Sequence, residues 1–351
     1  MADKIKRQIT VGGVKIGGGT RVTVQSMTNT KTADFAATAA QINVLESTGC
    51  DIVRIAVPDI ESASAIKEIK KRTGIPIVAD IHFDYKLAIR AAEAGADGLR
   101  INPGNIGGMD NVRAVAAIAA DRGIPIRVGV NSGSIEKGIL AKYGGVTPEA
   151  MFESAMGHIA MLNACDFNDI CISVKSTSVK DTIAAYRLLH ERTDYPLHVG
   201  VTEAGTEYTG TVKSSIAIGS LLADGIGDTI RVSLTAPPEA EVRAGVAILK
   251  ALGLRAGPEL ISCPTCGRCG IELIPIAEEV EKRLAKLDQS ITVAVMGCGV
   301  NGPGEASRAD FGIAGGVDEG VLFKKGKIHK KVTMDKLVDE LFTAINGGEN
   351  S

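Results

Sequence analysis

"PIVADIHFDYKLAIRAAEAGADGLRIN", residues 76–102, contains the pattern that decides the fold. A short aliphatic run, PIVAD, is followed by a stretch with apolar residues at helical spacing, YKLAIRAAEAG, and then by a second short run, DGLRIN. Short β-branched runs predict strands, and the periodic stretch between them predicts a helix that ends at Gly95. The segment therefore predicts one strand–helix–strand unit of a parallel sheet.

The same unit recurs along the chain from residue 20 to residue 252. We count eight strand-like runs: VTVQS (22–26), DIVRIA (51–56), PIVAD (76–80), DGLRIN (97–102), PIRVGVN (125–131), DICISVK (169–175), PLHVGVT (196–202) and DTIRVSL (228–234). Eight strand–helix units are what a TIM barrel needs, although periodicity alone leaves an open, doubly wound sheet as an alternative. The preceding QITVGGVKIGG (8–18) predicts a hairpin that plugs the bottom of the barrel.

Composition agrees with this fold class and excludes others. Hydrophobic residues make up 45% of the 351 residues, but aromatic residues make up only 3% and there is no tryptophan. Such an aliphatic core is typical of parallel α/β proteins and argues against an all-β sandwich. The repeat stops near residue 253. We therefore predict an α/β protein with two domains, a TIM (β/α)8 barrel over residues 1–255 and a small α+β domain over residues 256–351.

Charge and cysteine usage restrict the environment of the protein. The formal net charge of -2 gives no general attraction to nucleic acid or to an anionic membrane. No segment has the run of apolar residues that a membrane span or a signal peptide needs. The seven cysteines are an odd number and favour reduced thiols over a disulfide framework. The sequence therefore predicts a soluble, cytoplasmic protein with no nucleic-acid or membrane partner.

Polar side chains follow the predicted strands, where a TIM barrel carries its active site. The candidates for substrate binding are Arg54, Asp80, His82, Arg100, Asn102, Arg127, Asn131, Lys175, His198, Arg231 and Ser233. Unpaired buried cations are costly, so five of them at one mouth predict an anionic ligand, and phosphate or diphosphate fits best. Structural ion pairs are the alternative for each cation taken alone. For His82 and His198, packing in the core or at the rim is the alternative.

One carboxylate stands out at the same mouth. Glu203, in VTEAG, is the only acid that directly follows the seventh strand, and it faces several cations. A carboxylate in that position is suited to act as an acid or a base toward a bound hydroxyl group. We therefore predict a catalytic role for Glu203.

A cluster of cysteines marks the second domain. SCPTCGRCG (262–270) carries Cys263, Cys266 and Cys269, and MGCGVNGPGE (296–305) adds Cys298. Structural zinc usually takes two CxxC pairs, whereas a tight group with one remote cysteine is more typical of an iron–sulfur cluster. Spacing alone leaves one alternative open, a non-redox phosphosugar-binding barrel whose C-terminal domain is stapled by zinc.

Eight blocks of this sequence resemble a known family. The blocks are VQSMTNT, ADIHFDYKLA, RINPGNIG, IRVGVNSGS, VTEAG, DGIGDTIRVSLT, SCPTCGR and MGCGVNGPGE. In this order, and over essentially the whole chain, they resemble the 4-hydroxy-3-methylbut-2-en-1-yl diphosphate synthases of the bacterial non-mevalonate isoprenoid pathway. The resemblance implies an oxidoreductase of the EC 1.17.7 class. Such an enzyme opens 2-C-methyl-D-erythritol 2,4-cyclodiphosphate and removes a hydroxyl group, with two electrons delivered through a 4Fe-4S cluster.

The resemblance also implies the members of the site. The cluster ligands fall on Cys263, Cys266, Cys298 and Glu305, which leaves Cys269 as a spare thiol. The carboxylate of Glu305 is harder and more easily displaced than a thiolate, so the resemblance gives Glu305 a catalytic role beside Glu203. Electrons arrive singly from a ferredoxin or a flavodoxin. The five lysines of KKGKIHKK (324–331) are a candidate docking site for such a carrier, with a solvated hairpin as the alternative.

The direction of the chain predicts a homodimer. In a TIM barrel each helix returns to the bottom, so the chain leaves the last helix near Leu252, on the face opposite the substrate. The second domain therefore starts far from the mouth of its own barrel. Two-fold symmetry removes this difficulty when each cysteine domain caps the barrel of the partner subunit. We therefore expect active sites that are shared between subunits.

Overall fold

A computed structural model describes residues 6–287, 289–298, 306–316 and 319–347 of the chain. The chain divides between Arg255 and Ala256 into two compact units. Among the helices in these ranges, none combines the length and the apolar character that a membrane crossing requires.

Eight parallel strands form the first unit, and an antiparallel hairpin precedes them. The strands are β1 (Gln8–Val11) and β2 (Val14–Gly17) in the hairpin, then β3 (Thr23–Met27), β4 (Ile52–Ala56), β5 (Ile77–Asp80), β6 (Gly98–Ile101), β7 (Ile126–Asn131), β8 (Ile170–Lys175), β9 (His198–Val199) and β10 (Thr229–Ile230). The sheet runs in the order β8-β7-β6-β5-β4-β3-β10-β9. A parallel bridge between Ile172 and Leu197 joins its two ends. The predicted TIM barrel is therefore confirmed, and the open sheet is not.

Helices follow the strands around the barrel. They are α1 (Phe35–Thr48), α2 (Ile60–Lys70), α3 (Tyr85–Glu93), α4 (Gly108–Arg122), α5 (Lys137–Tyr143), α6 (Pro148–Asn163), α7 (Val179–Arg192), α8 (Glu207–Ala223) and α9 (Pro238–Ala251). Local sequence sets their limits: Asp59, for example, caps α2 by accepting a hydrogen bond from the Ser62 N–H at 2.7 Å. The β7–β8 connection carries two helices, α5 and α6, where the other connections between barrel strands carry one.

Aspartates at the start of strands hold the bottom of the barrel together. Each carboxylate accepts a hydrogen bond from one backbone N–H group near the start of the preceding strand. The Val24 N–H donates to Asp51 at 2.8 Å, the Ile77 N–H to Asp97 at 2.7 Å and the Leu197 N–H to Asp228 at 2.8 Å. These N–H groups lie where the ladder begins, so a carboxylate supplies the acceptor that the neighbouring strand does not. The Asp that opens DIVRIA, DGLRIN and DTIRVSL therefore has a structural role.

The hairpin closes the bottom, as predicted. Gly12 and Gly13 form its turn with φ values of 52° and 94°, which a residue with a side chain rarely adopts. Its buried side chains Ile9, Val11 and Ile16 pack with apolar residues at the starts of barrel strands. Burial of these side chains, at about 25 cal/mol per Å² of apolar surface, stabilises the plug.

The second unit is a small α+β domain with a five-stranded sheet. Its elements are β11 (Glu259–Ser262), α10 (Leu273–Leu284), β12 (Thr292–Met296), β13 (Phe311–Ala314), β14 (Glu319–Lys324), β15 (Lys327–Thr333) and α11 (Leu337–Gly347). The strands lie in sequence order; β11, β12 and β13 are parallel, and β14 and β15 are antiparallel. Apolar residues of α10 and α11, among them Val280 and Leu341, pack on the sheet as a separate core.

The aspartate contacts at the strand starts can be tested by mutation. Asp97 also binds Lys70 Nζ at 2.6 Å, so Asp97→Ala leaves both a backbone N–H and a lysine without their acceptor. We expect a loss of about 1 to 3 kcal/mol in the free energy of unfolding, measured by urea denaturation. Asp121→Ala is the matched control, because the Asp121 side chain is 72% exposed. Equal stability of the two variants would contradict the structural role.

Candidate active site

Polar side chains from most of the barrel strands converge on one cavity of about 460 Å³, part of which is open to solvent. Asp80, Asn131 and Lys175 are the last residues of β5, β7 and β8, so the cavity lies at the mouth. Nine of the predicted substrate-binding residues line it: Arg54, Asp80, His82, Arg100, Arg127, Asn131, Lys175, Arg231 and Ser233. Gly129, Ser173 and Thr202, which sequence analysis did not select, complete the lining.

Asp80 organises one wall of the cavity. Its carboxylate lies 3.2 Å from Arg100 Nη1, 3.7 Å from Arg54 Nε and 3.4 Å from His82 Nε2. Burial by itself raises the pKa of Asp80, but Arg54, His82 and Arg100 together lower it well below its usual range. Asp80 is therefore a permanent carboxylate that holds two arginines in place.

The cavity carries more positive than negative charge. Its lining includes five cationic side chains, Arg54, Arg100, Arg127, Lys175 and Arg231. Among the described residues, Asp80 and Glu241 are the carboxylates in ion pairs with them, so by formal charge five less two leave three positive charges. Burial, and then repulsion from the neighbouring cations, lowers the pKa of Lys175 well below its usual value. An anion would relieve both the desolvation and the repulsion.

Glycine shapes the arginine wall at one position. A Cβ atom on Gly129 would lie 2.6 Å from Arg100 Nε, which is too close for any real contact. The Arg100 side chain thus crosses the neighbouring strand β7 only because that strand has no side chain there, and Arg100 Nη2 donates to the Gly129 carbonyl at 3.3 Å. The glycine in PIRVGVN was the available signal, since an isolated strand glycine often marks a close approach.

Glu241 was missed by sequence analysis. It lies in the first turns of α9 and is only 6% exposed. Its carboxylate accepts a hydrogen bond from the Leu234 N–H at 2.9 Å and lies 3.3 Å from Arg231 Nη2. An acid near a helix N-terminus is common for reasons of the helix dipole, so the sequence carried no signal that set Glu241 apart.

Two predicted substrate-binding residues lie outside the cavity lining. Asn102 is buried, and its Oδ1 accepts a hydrogen bond from the Gly104 N–H at 3.1 Å, so it shapes the loop after β6. His198 is fully buried and lines a smaller space at the bottom, next to the hairpin residues Ile9 and Ile16. The physical reason is that His198 is the first residue of β9, and the starts of the barrel strands lie at the bottom, opposite the mouth. Burial and Arg127 lower the pKa of His198 well below its usual value, which keeps the imidazole neutral.

Glu203 lies at the rim. It is exposed and follows Thr202, which lines the cavity. Its φ of 52° lies in the left-handed region, which is uncommon and strained for a residue with a side chain. Such strain clusters at functional sites, and here it turns the chain sharply at the end of the seventh barrel strand.

The cysteines of the second unit lie at the ends of two neighbouring parallel strands. Cys263 directly follows β11, and Cys298 comes two residues after β12. The Gly297 N–H donates to Cys263 Sγ at 3.2 Å, and the Gly270 N–H donates to the Gly297 carbonyl at 3.0 Å. The loop that carries Cys263, Cys266 and Cys269 is therefore held against the residue that precedes Cys298.

The donor chemistry of this loop suits an iron–sulfur cluster. All four thiols are free of disulfides, and hydrogen bonds from the backbone of Arg268 lower the pKa of Cys266, which favours the thiolate that binds iron. Within the described ranges, no three His, Cys, Asp or Glu side chains lie close enough together to hold a metal ion. Glu305, the remaining ligand implied by the family resemblance, lies outside the described residues.

The lysine-rich hairpin faces the other end of this sheet. The Lys325 N–H at its turn donates to the Asp310 carbonyl at 2.9 Å, and Asp310 accepts from the Thr292 N–H at the start of β12. The cysteines follow the opposite ends of β11 and β12. A carrier docked on the hairpin turn would therefore lie at the far end of the sheet from them, which favours the solvated-hairpin alternative.

A comparison with solved structures supports the barrel. The type I 3-dehydroquinate dehydratase of Clostridium difficile matches with a TM-score of 0.51 and 14% sequence identity, over 71% of this chain and 98% of that chain. At this identity the likeness concerns the fold alone.

Family models and relatives cover both units. A model described as the GcpE TIM-barrel domain matches residues 6–246, and one described as the GcpE protein C-terminal domain matches residues 259–347. A protein of Ruminiclostridium cellulolyticum is 60% identical over 99% of both chains. One of Clostridium acetobutylicum is 59% identical over 97% of this chain and 98% of the relative. Both are named 4-hydroxy-3-methylbut-2-en-1-yl diphosphate synthase (flavodoxin). The chain therefore belongs to the GcpE family, the 4-hydroxy-3-methylbut-2-en-1-yl diphosphate synthases, as its sequence blocks predicted.

Proposed function

We propose that this chain reduces 2-C-methyl-D-erythritol 2,4-cyclodiphosphate to 4-hydroxy-3-methylbut-2-en-1-yl diphosphate. The observation that carries the proposal is the cavity at the barrel mouth, where nine predicted polar side chains meet and three positive charges remain uncompensated. A cyclic diphosphate carries negative charge that would neutralise the excess positive charge of this cavity. Relatives that match nearly the whole chain bear the name of the synthase.

The cations of the cavity bind the two phosphates. Arg54, Arg100 and Arg231 offer planar donor pairs that suit phosphate oxygens, and Lys175 adds a point charge from the end of β8. Asp80 keeps Arg54 and Arg100 aimed into the cavity through its ion pairs with both. His82, Asn131 and Ser233 supply hydrogen bonds at the rim and wall, and Arg127 donates from below.

Glu203 handles the proton of the substrate hydroxyl group. It lies at the rim beside Thr202, and its strained backbone fixes where the side chain leaves the seventh strand. An exposed carboxylate at the rim of the cavity is suited to act as acid or base toward a hydroxyl group of a substrate bound there.

Cys263, Cys266, Cys298 and Glu305 hold a 4Fe-4S cluster in the second unit. When bound, such a cluster supplies single electrons and a Lewis-acidic iron, which removal of a hydroxyl group needs. The strand ends below Cys263 and Cys298 give these two thiols a rigid base. Glu305 is the harder and more exchangeable ligand.

Flavodoxin is the proposed electron donor, since it is the carrier that the relatives' names specify, with ferredoxin as the alternative. The free thiols suit a reducing compartment, and we therefore propose a cytoplasmic location.

We also propose a homodimer with shared active sites. In the first unit, Arg255 pairs at 3.3 Å with Asp51, which directly precedes β4 at the bottom of the barrel. The chain thus enters the second unit from the face opposite the cavity. A helix of the length of α9, 14 residues, spans about 21 Å, so the segment leading to Cys263 would have to climb the barrel wall to reach its own mouth. A partner subunit in head-to-tail orientation removes that requirement.

The cluster can be tested by its colour and iron content. Anaerobically prepared protein should be brown, absorb near 400 nm and bleach with dithionite. Cys263→Ser, Cys266→Ser and Cys298→Ser should each lose the iron, because each removes a ligand, whereas Cys269→Ser should keep it. A colourless protein with one zinc per chain would contradict the redox function. Loss of iron in Cys269→Ser with normal activity in Glu305→Ala would establish a four-cysteine site.

The anion cavity can be tested by calorimetry with the cyclodiphosphate. Arg54→Ala, Arg100→Ala, Lys175→Ala and Arg231→Ala should each weaken binding by about 1.5 to 3 kcal/mol, because each removes a charged hydrogen-bond partner. Iron content serves as the control that the second unit is intact. Wild-type affinity in all four variants would refute the assignment of this cavity to the substrate.

Subunit complementation tests the shared site. Co-expression of Glu203→Gln and Cys298→Ser chains with two different tags gives mixed dimers, and each should contain one intact composite site. Activity should therefore rise well above that of either parent. The control is a chain with both mutations paired with a wild-type chain. If that pair is active and the mixed dimer is not, the site is built within one chain.

A further inference from the structure

The barrel has a seam where its first and last elements meet. There β10 pairs with β3 through only two positions, Thr229 with Thr23 and Ile230 with Val24. The strand β3 continues to Met27, and the chain beyond Ile230 carries Arg231 and then Ser233 to the cavity. The pairing of β10 with β3 thus ends at Ile230, before Arg231 and Ser233 line the cavity.

The Glu241 carboxylate bridges the seam at this level. Ser26 Oγ donates to Glu241 Oε2 at 3.2 Å from the β3 side, and Arg231 Nη2 donates to the same oxygen at 3.3 Å from the β10 side. The Leu234 N–H donates to Oε1 at 2.9 Å and ties down the loop after Ser233. One buried side chain thus joins β3, the residue that follows β10 and the loop after Ser233. It does so above the level at which the main chains of β3 and β10 pair.

Asp51 makes a comparable set of contacts at the bottom of the barrel, where it joins β3 to the start of β4 rather than to β10. It accepts from the Val24 N–H at 2.8 Å and pairs with Arg21 at 2.8 Å and with Arg255 at 3.3 Å. Both carboxylates are buried and both bind an arginine and a backbone N–H. They differ in position, because Asp51 lies at the bottom and Glu241 borders the cavity. The chain therefore contains its own matched control.

We propose that Glu241 is a positioning residue for substrate binding. It holds the Arg231 guanidinium in one orientation against the cavity wall, and through Leu234 it holds the backbone that presents Ser233. The proposal rests on the proposed function, in which Arg231 and Ser233 contact the cyclodiphosphate. An arginine that is already held loses less conformational freedom when phosphate binds, so the bound state is favoured.

The direction in which removal of Glu241 changes the affinity for the cyclodiphosphate distinguishes a positioning role from a purely electrostatic one. As a negative charge next to an anion site, Glu241 repels the diphosphate, so its removal would tighten binding if charge were its only influence. If it positions Arg231, its removal weakens binding. Glu241→Gln keeps one acceptor oxygen for Arg231 and should weaken binding less than Glu241→Ala.

The experiment measures the Kd of the cyclodiphosphate by calorimetry with the iron-loaded, full-length protein. Glu241→Ala should weaken binding by about tenfold, the loss of one charged hydrogen-bond contact. The double variant with Arg231→Ala should lose less affinity than the two single losses added together, because the two substitutions share the Arg231 guanidinium and only the contact through Leu234 is independent of it. In steady-state assays KM should rise by more than kcat falls. Asp51→Ala should lower the thermal midpoint and leave Kd unchanged.

Each outcome bears on a different claim. If Arg231→Ala weakens binding but Glu241→Ala and Glu241→Gln bind as tightly as wild type or more tightly, the positioning role is wrong and the proposed function stands. If Arg231→Ala itself binds normally, both the positioning role and the contact between Arg231 and substrate are wrong. If Asp51→Ala weakens binding as much as Glu241→Ala, the effect comes from barrel stability, and the positioning role is again wrong.

Discussion

Five cationic side chains at the barrel mouth repel one another, and the packing of the barrel beneath them has to offset that repulsion. Five cationic side chains line one cavity, and Asp80 and Glu241 neutralise two of them. Burial, and then repulsion from neighbouring cations, lowers the pKa of Arg127 to about 10 and that of Lys175 well below its usual value, so both groups are costly to keep charged here. A fold can retain such a site only if the scaffold beneath it is stable enough to oppose the repulsion.

The bottom of the barrel supplies that stability. Carboxylates at the starts of β4, β6 and β10 satisfy backbone N–H groups of neighbouring strands, and the hairpin covers the apolar strand starts. The two ends of the barrel thus use charge differently. At the bottom, the aspartates accept hydrogen bonds from backbone N–H groups of the barrel. At the mouth, the cations outnumber the carboxylates that pair with them, and the proposed cyclodiphosphate is the acceptor for their remaining N–H groups.

The second unit also has an aspartate that accepts a hydrogen bond from a backbone N–H group of the neighbouring strand. Asp310 directly precedes β13 and accepts a hydrogen bond from the Thr292 N–H of β12, as the barrel aspartates do for their neighbours. At the other ends of β11 and β12, which are parallel, the chain carries Cys263 directly after β11 and Cys298 two residues after β12. Both units therefore secure the starts of their strands and place chemically reactive residues after the ends, which is the general arrangement of ligand sites in parallel sheets.

Local patterns in the sequence predicted the strand–helix order, the plug hairpin, the second unit and nine of the polar residues that line the cavity at the mouth. A period of two or 3.6 residues and a polar residue after a strand are local properties. Three further points depend on how the elements pack together. The closure of the sheet depends on the pairing of its first barrel strand, β3, with its last, β10, which no local pattern records. His198 lies at the bottom because it is the first residue of β9, and a sequence pattern does not fix the residue at which a strand begins. The role of Glu241 depends on the packing of α9 against the seam, since hydrogen bonds to Ser26 across 215 positions of sequence leave no periodic signal. A local sequence pattern predicts helices and strands. The hydrogen-bond and ion-pair partners of a buried charge are fixed only when those helices and strands pack against one another.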